Sequence, residues 1–148
     1  MAWEVEFTDE FAQWWDTLTA DEQADATYYV RELEKRGPEL PFPYSSGIKG
    51  SQYGSMRELR VQSGGKPIRI FYAFDSRRIA ILLIGGRKGG NQRFYEHFVR
   101  AADRLFDRHL AALRTEHEKE RTYDRTPSVR GTSSEDPTGG DGSRGRKK

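Results

Sequence analysis

The 148-residue chain carries 25 basic and 23 acidic side chains, for a net charge of +2, and contains no cysteine. The lack of cysteine excludes disulfides, zinc–thiolate sites and thiol catalysis, and it favours a reducing compartment. The first residues lack the basic and apolar regions of a signal peptide, and no apolar run approaches the roughly 20 residues of a membrane span. We therefore expect a cytoplasmic protein with no membrane partner.

The charge is unevenly distributed along the chain. Residues 1–44 contain 11 acidic and 3 basic side chains, residues 45–115 contain 5 and 14, and residues 116–148 contain 7 and 8. A basic middle segment beside an acidic first segment predicts a face that binds a polyanion. The alternative is that these charges merely solvate the surfaces of strands and a helix.

The first part of the chain predicts a strand followed by a helical hairpin. Apolar and polar side chains alternate over residues 2–7, as in a half-buried strand. Thr8 then begins a helix that has acidic residues in its first turn. Thr19 followed by Glu22 forms a capping box, which predicts a second helix over residues 20–36.

The middle of the chain predicts an antiparallel meander. Strand patterns cover residues 56–62, 67–74 and 79–84, and the links between them are short and rich in turn-forming residues. The last of these strands is apolar on both faces and is expected inside the sheet. In the first, Arg57 and Arg60 must face opposite sides, because side chains alternate along a strand.

A long segment rich in Pro, Gly and Ser, residues 38–55, precedes this meander and predicts a functional or mobile loop that carries Lys49. After the meander, Asn91 can cap a third helix over residues 92–115. Beyond that, residues 116–148 combine few apolar side chains with Gly, Ser, Pro and mixed charge, which predicts a disordered charged tail.

The predicted order β-α-α-β-β-β-α belongs to the α+β class. It describes an antiparallel sheet with an N-terminal helical hairpin and a C-terminal helix. We expect the helices on one face of the sheet and a concave basic surface on the other. The domain is expected to span residues 1–115, with the tail over residues 116–148.

The segment "GGRKGGN" between the last strand and the last helix predicts a phosphate-binding loop. A helix N-terminus offers unpaired N–H groups, glycines allow close approach, and Arg87 and Lys88 add positive charge. The segment is neither a P-loop nor a dinucleotide fingerprint, so no cofactor is expected. No His, Asp and Glu spacing suggests a metal site.

RNA cleavage fits such a basic site, because it needs no metal when the 2′-hydroxyl attacks the adjacent phosphorus. The reaction requires a base, cations that hold the charge of the pentavalent state, and an acid for the leaving oxygen. A tyrosine among several cations is expected to have a lowered pKa and to transfer protons. Tyr95, near the start of the last helix, is the candidate.

Four segments, in the predicted order, resemble the RelE/ParE toxin superfamily in its HigB-like branch: "ELRV", "GGKPIRIFYAFD", "AILLIGGRKGG" and "FYEHFVRAADRLFDRHL". The resemblance covers residues 2–113 and implies a RelE-like fold. Members are small bacterial toxins that a cognate antitoxin neutralises. The RelE and HigB kinds cut mRNA in the ribosomal A site, whereas the ParE branch poisons gyrase.

The resemblance also implies site residues. The predicted catalytic residues are Arg60, Arg69, Lys88 and Tyr95, and the predicted RNA- or phosphate-binding residues are Lys49, Arg57, Arg87 and Arg93. Arg69 would contact the scissile phosphate, although it could instead be a structural partner of Glu58 across the sheet. Met56 and Glu58 stand where the RelE branch has lysines, so the general base of that branch is missing there.

The sequence therefore predicts a toxin of a type II toxin–antitoxin system that cleaves mRNA on the ribosome without a metal and so inhibits translation. Its expected partners are the ribosome, mRNA and an acidic antitoxin of the helix-turn-helix type. The alternative is a non-catalytic protein of the same fold, either a gyrase inhibitor or a degenerate toxin that acts in complex with its antitoxin.

Overall fold

The computed structural model describes residues 2–90 and 93–124, with side chains described as far as residue 121. The predicted α+β class is confirmed. The helices are α1 (Asp9–Trp15), α2 (Ala20–Arg36) and α3 (Arg93–Asp124), and the strands are β1 (Val5–Phe7), β2 (Ser45–Gly47), β3 (Arg57–Ser63), β4 (Lys66–Phe74) and β5 (Ala80–Arg87). No helix in the described ranges combines the length and apolarity needed to cross a membrane.

The five strands form one sheet in the order β1-β5-β4-β3-β2, in which β1 runs parallel to β5 and the other pairs are antiparallel. The predicted meander is confirmed, and β5 lies inside the sheet between β4 and β1. The two larger differences from the prediction concern β2 and the end of β5. The segment read as a loop contains the short strand β2, which pairs with residues 57–59 of β3, and β5 continues past residue 84 to Arg87.

Local capping signals define where the first two helices begin. The Thr8 hydroxyl accepts a hydrogen bond from the Phe11 N–H at 2.9 Å. At the start of α2, the Thr19 hydroxyl accepts from the Glu22 N–H at 3.1 Å, and the Glu22 carboxylate accepts from the Thr19 N–H at 2.9 Å. Both interactions satisfy backbone groups that a helix end leaves unpaired.

The last helix is longer than predicted, because α3 runs to Asp124 and does not end at Thr115. Residues 116–121 are exposed and consist mostly of Glu, Lys and Arg, which are good helix formers. Helix propensity therefore extends α3 beyond its contact with the sheet. Residues 125–148, the rest of the predicted tail, lie outside the described residues.

Helices cover both faces of the sheet, which corrects the expectation that they would lie on one. Alternate residues of β4 point to opposite sides: Ile70 packs in a core with α1 and α2, and Phe71 packs in a second core with α3. The apolar stripe of α3 needed a partner, and the opposite face of the apolar strand β5 provides it. The open concave face is therefore smaller than expected.

Several cations of the basic middle segment pair with acids of the N-terminal segment. The pairs, with their shortest N–O distances, are Arg77 with Glu6 (2.9 Å), Arg87 with Glu22 (2.7 Å) and Arg108 with Glu10 (2.6 Å). These pairs are partly exposed and contribute little stability individually. Part of the charge asymmetry in the sequence is therefore resolved inside the molecule.

The turn after β4 is attached to α3 through the buried carboxylate of Asp75. Its oxygens accept hydrogen bonds from the Arg77 backbone N–H at 2.8 Å and from the Arg77 guanidinium at 2.7 and 3.0 Å. Nε2 of His109, on α3, lies 2.9 Å from Asp75 Oδ2. Burial opposes ionisation of Asp75, but the hydrogen bonds from His109 and Arg77 lower its pKa to about 2.

We predict that Asp75→Asn destabilises the protein in a pH-dependent way. Because the pKa of Asp75 is lower in the folded state, its contribution of about 2 kcal/mol is complete above about pH 4 and is lost as the pH falls towards 2. Urea unfolding of the wild type and the variant between pH 2 and 7 should give free energies that converge at low pH. The exposed Asp16→Asn serves as control, and a difference independent of pH would contradict the assignment.

Candidate functional site

Four of the predicted site residues meet around a buried carboxylate. Glu58 Oε1 accepts a hydrogen bond from the Tyr95 hydroxyl at 2.7 Å. Its other oxygen, Oε2, accepts from Arg60 Nη1 at 3.3 Å. Arg69 Nε lies 3.6 Å from Glu58 Oε1, and Lys88 Nζ lies 5.8 Å from the centroid of the Tyr95 ring. We call Glu58, Arg60, Arg69, Lys88 and Tyr95 the Glu58 cluster.

Strand register and helix placement together produce the Glu58 cluster. Arg60 of β3 stands directly opposite Arg69 of β4, and Glu58 lies two residues earlier on the same face of the sheet. Lys88 follows β5, where its backbone N–H donates to the Pro67 carbonyl at 2.9 Å. Tyr95 reaches the cluster from the first turn of α3, which lies across this face.

Arg69 is nearly buried, with 5% of the residue exposed. Its Nη1 donates to the Ile68 carbonyl at 3.2 Å, whereas its Nε has no hydrogen-bond partner within the described part of the chain. The separation of 3.6 Å from Glu58 is too long for a hydrogen bond, although it is an ion pair. The ion pair agrees with a structural role, and the unused N–H agrees with contact to an anionic oxygen.

The pKa of Tyr95 is raised, contrary to the expectation that neighbouring cations would lower it. Burial is the largest cause, and the hydrogen bond to Glu58 adds to it because an ionised phenol would face a carboxylate. Arg69 opposes these effects only in part. Tyr95 is therefore a protonated phenol near neutral pH.

The other four predicted residues lie outside the Glu58 cluster. Arg57 lies on the opposite face of the sheet, where its Nε donates to the Ser45 hydroxyl at 2.9 Å, and Arg87 pairs with Glu22 of α2 on that same face. Lys49 is exposed in the turn after β2, and Arg93 is exposed at the first residue of α3. Their roles in RNA binding stay predictions.

The glycines beside Arg87 serve packing first. Gly85 and Gly86 are buried inside β5, and not in a loop as predicted. A Cβ at Gly85 would lie 2.4 Å from the Trp14 ring, and one at Gly86 would lie 2.6 Å from the Phe98 ring. These glycines let aromatic rings of α1 and α3 touch the two faces of β5. Asn91, the predicted helix cap, lies outside the described residues.

Sequence reasoning missed the carboxylate at the centre of the site and one of its partners. From the sequence, Glu58 is only a departure from the RelE pattern and an alternative structural partner of Arg69. The period of two that places it on the face of Arg60 was a usable signal. Ser46, whose hydroxyl donates to Glu58 at 2.8 Å, has no signal in the sequence, because its segment has the composition of a loop.

Among the described residues, no group of three or more His, Asp or Glu side chains could hold a metal ion.

We predict that Gly85→Ala and Gly86→Ala each lower the free energy of unfolding by about 1–3 kcal/mol, because the added methyl group overlaps an aromatic ring. Gly89→Ala, which meets no atom within 4 Å, should change it by less than about 0.5 kcal/mol. Chemical denaturation of the three variants measures this. Equal stability at all three positions would contradict the packing role.

We also predict that Glu58→Gln lowers the pKa of Tyr95, because the carboxylate that disfavours the phenolate is removed while burial persists. NMR titration of protein labelled with ¹³C at the tyrosine Cζ, compared with Tyr95→Phe to identify the resonance, measures the shift. The resonance of Tyr53, whose pKa is raised through Asp107, is an internal control that should not move. An unchanged Tyr95 pKa would exclude Glu58 as a cause.

Comparison with known proteins agrees with this architecture. Residues 13–107 match the family described as "Phage derived protein Gp49-like". The chain is 40% identical to HigB2 of Mycobacterium tuberculosis, a candidate toxin, over 84 residues, which are 55% of this chain and 42% of HigB2. It is 39% identical to a second candidate toxin of that organism, HigB3, over 101 residues, which are 68% of this chain and 87% of HigB3.

Two solved structures resemble this chain at low sequence identity. The E. coli toxin RelE in its free state is 14% identical, with a TM-score of 0.50 over 68% of this chain and 98% of RelE. The M. tuberculosis toxin–antitoxin complex RelBE2 gives a TM-score of 0.46 at 14% identity, over 60% of this chain and 100% of the matched chain. The likeness to RelE confirms the predicted fold. Since the family match covers most of the folded residues, the chain belongs to the Gp49-like family of HigB-type toxins.

Proposed function

We propose that this protein is the toxin of a type II toxin–antitoxin pair and cleaves mRNA on the ribosome, without a metal, so that translation stops. The observation that carries the proposal is the Glu58 cluster, which gathers three cations, a protonated phenol and a carboxylate on one face of the sheet. These are the groups that cleavage of RNA by its own 2′-hydroxyl requires.

In the proposed reaction, Glu58 accepts the proton of the 2′-hydroxyl, and the oxygen then bonds to the adjacent phosphorus. The bond from phosphorus to the 5′-oxygen breaks, and that oxygen takes the proton of the Tyr95 hydroxyl. The products are a 2′,3′-cyclic phosphate and a free 5′-hydroxyl. The proton on Glu58 then passes to Tyr95 along their 2.7 Å hydrogen bond, which restores both groups.

The cations would stabilise the charge that develops on the phosphate oxygens. Arg69 offers its unused Nε–H, and Arg60, whose side chain is 29% exposed, can reach the RNA backbone. Loss of one such donor typically lowers a rate by about 10²–10³-fold. The side chains of Glu58 and Arg69 are only 5% and 6% exposed, so the scissile phosphate must be held close to the surface of the cluster to reach them. That burial supports a ribosome that positions the mRNA.

The proposed partners follow from the same function. An acidic antitoxin of the helix-turn-helix type would cover the remaining basic surface around the Glu58 cluster, and the relation to HigB-type toxins supports such a partner. The toxin would act in the cytoplasm, where mRNA and ribosomes meet. A non-catalytic role remains the second candidate, because the ion pair between Glu58 and Arg69 neutralises part of the site.

We predict that brief induction of the wild type creates discrete new 5′ ends inside translated mRNA, and that Lys88→Ala combined with Tyr95→Phe reduces their yield by at least about 10²-fold. The double change removes one cation and the proton donor but leaves the buried ion pair intact. Primer extension on a cellular mRNA, with protein synthesis followed in parallel, measures both effects.

Arg104→Ala is the matched control, because Arg104 is an exposed cation of α3 that is not part of the Glu58 cluster. Its cleavage pattern should equal that of the wild type. Growth arrest with intact mRNA would overturn the nuclease proposal and favour gyrase as the target. No effect on growth or mRNA would favour a degenerate toxin that acts only in complex with its antitoxin.

A further inference from the structure

A cleft of about 430 Å³ opens beside the Glu58 cluster, at the edge of the sheet. Its lining residues are Tyr28, Tyr29, Pro43, Tyr44, Arg60 and Gln62. We call it the tyrosine cleft. A volume of this size is in the range of pockets that hold small organic ligands, of about 300–1,000 Å³.

The cleft exists because the edge strand β2 is short. It begins at Ser45, opposite Leu59, and covers β3 only along residues 57–59, so the edge of β3 from Arg60 onward has no neighbouring strand. The Arg60 N–H instead donates to the Tyr44 carbonyl at 2.8 Å. On the other side, α2 presents Tyr28 and Tyr29, whose ring centroids are 5.5 Å apart.

The rim of the cleft exposes aromatic surface to solvent. Tyr28 is 52% exposed, and Phe42, next to Pro43 of the cleft, is 61% exposed. Neighbouring large aromatic side chains that are exposed are typical of binding sites, because a bound partner would bury their apolar surface. Because neither ring is buried in a core, their replacement should leave the fold intact.

Arg60 connects the cleft to the Glu58 cluster. Its Nη1 lies 3.3 Å from Glu58 Oε2, and its guanidinium carbon lies 4.7 Å from the centroid of the Phe42 ring. The guanidinium of Arg36 lies 5.9 Å from the centroid of the Tyr44 ring, so a second cation lies beside an aromatic ring of the cleft. The cleft and the proposed catalytic groups therefore share one side chain.

Cations beside exposed aromatic faces are the combination by which proteins hold single-stranded RNA. The cations attract the phosphates, while bases stack on the rings. Gln62, which is exposed at the cleft, adds an amide that can hydrogen-bond to a base edge. A peptide would use the aromatic surface, but it would have less need of the two arginines.

We propose that the tyrosine cleft binds the base of the nucleotide next to the scissile phosphate, stacked against Tyr28 and Phe42, while Arg60 contacts that phosphate. This inference rests on the proposed function and deepens it, because the cleft then selects which base stands beside the cleavage position. Every base can stack on an aromatic ring, but the larger purine ring system stacks more strongly, so a modest preference for a purine is the expected consequence.

The test uses a short single-stranded oligoribonucleotide with 2′-O-methyl riboses, which removes the attacking hydroxyl, and with 2-aminopurine at one position after another. Stacking on an aromatic ring quenches the fluorescence of 2-aminopurine. The wild-type protein should quench it at one preferred position, both with the free oligonucleotide and with ribosomes that carry it as mRNA. Tyr28→Leu combined with Phe42→Leu should abolish this quenching and weaken binding about tenfold.

Tyr28→Phe is the matched control, because it keeps the ring and removes only the hydroxyl, and it should quench like the wild type. Thermal unfolding checks that all variants are folded. Equal quenching by the double leucine variant, or no quenching by the wild type in either setting, would overturn the proposal. Quenching without cleavage of unmodified RNA would overturn the nuclease alone, whereas cleavage with a base preference unchanged in the leucine variant would overturn the cleft alone.

Discussion

The contact on which the rest of the site depends is that between the Phe98 ring of α3 and the backbone of Gly86 in β5. A methyl group at Gly86 would lie 2.6 Å from this ring, so only glycine lets α3 approach the sheet so closely. Tyr95 lies about one helical turn before Phe98 and therefore reaches Glu58 only when this contact is made. Packing between a helix and a strand thus determines the geometry of the proposed chemistry.

Two further contacts hold α3 along its length. The Asp103 carboxylate accepts hydrogen bonds from the Ser51 hydroxyl at 2.5 Å and from the Gln52 N–H at 3.0 Å, which fixes the segment that carries Lys49. Farther along, His109 contacts the buried Asp75. The helix therefore joins the proposed site, the loop before β3 and the turn after β4 into one unit, so a change in any of these contacts would act on the others.

Many basic side chains of the middle segment form ion pairs with carboxylates, so the net positive charge of that segment overstates its free positive charge. Arginines of the basic segment neutralise acids of the first helices, and Glu58 stands among the cations of the site. Burial and the hydrogen bond to Glu58 raise the pKa of Tyr95, whereas its neighbouring cations alone predict a lowered one. In the proposed function, Arg60 and the aromatic rim of the tyrosine cleft form the part of the surface that recognises RNA.

The sequence by itself determined the elements whose signals are local. The capping box at Thr19 defined the start of α2, alternation and short turns defined the meander, and the apolar character of β5 placed it inside the sheet. The sequence also identified the family, and it predicted four site residues that the structure places around Glu58. Only the tertiary structure decided the rest, because burial and pairing depend on contacts distant in sequence. Those contacts made Gly86 a packing residue, paired Arg87 with Glu22, and buried Tyr95 beside Glu58, so that its pKa is raised and not lowered.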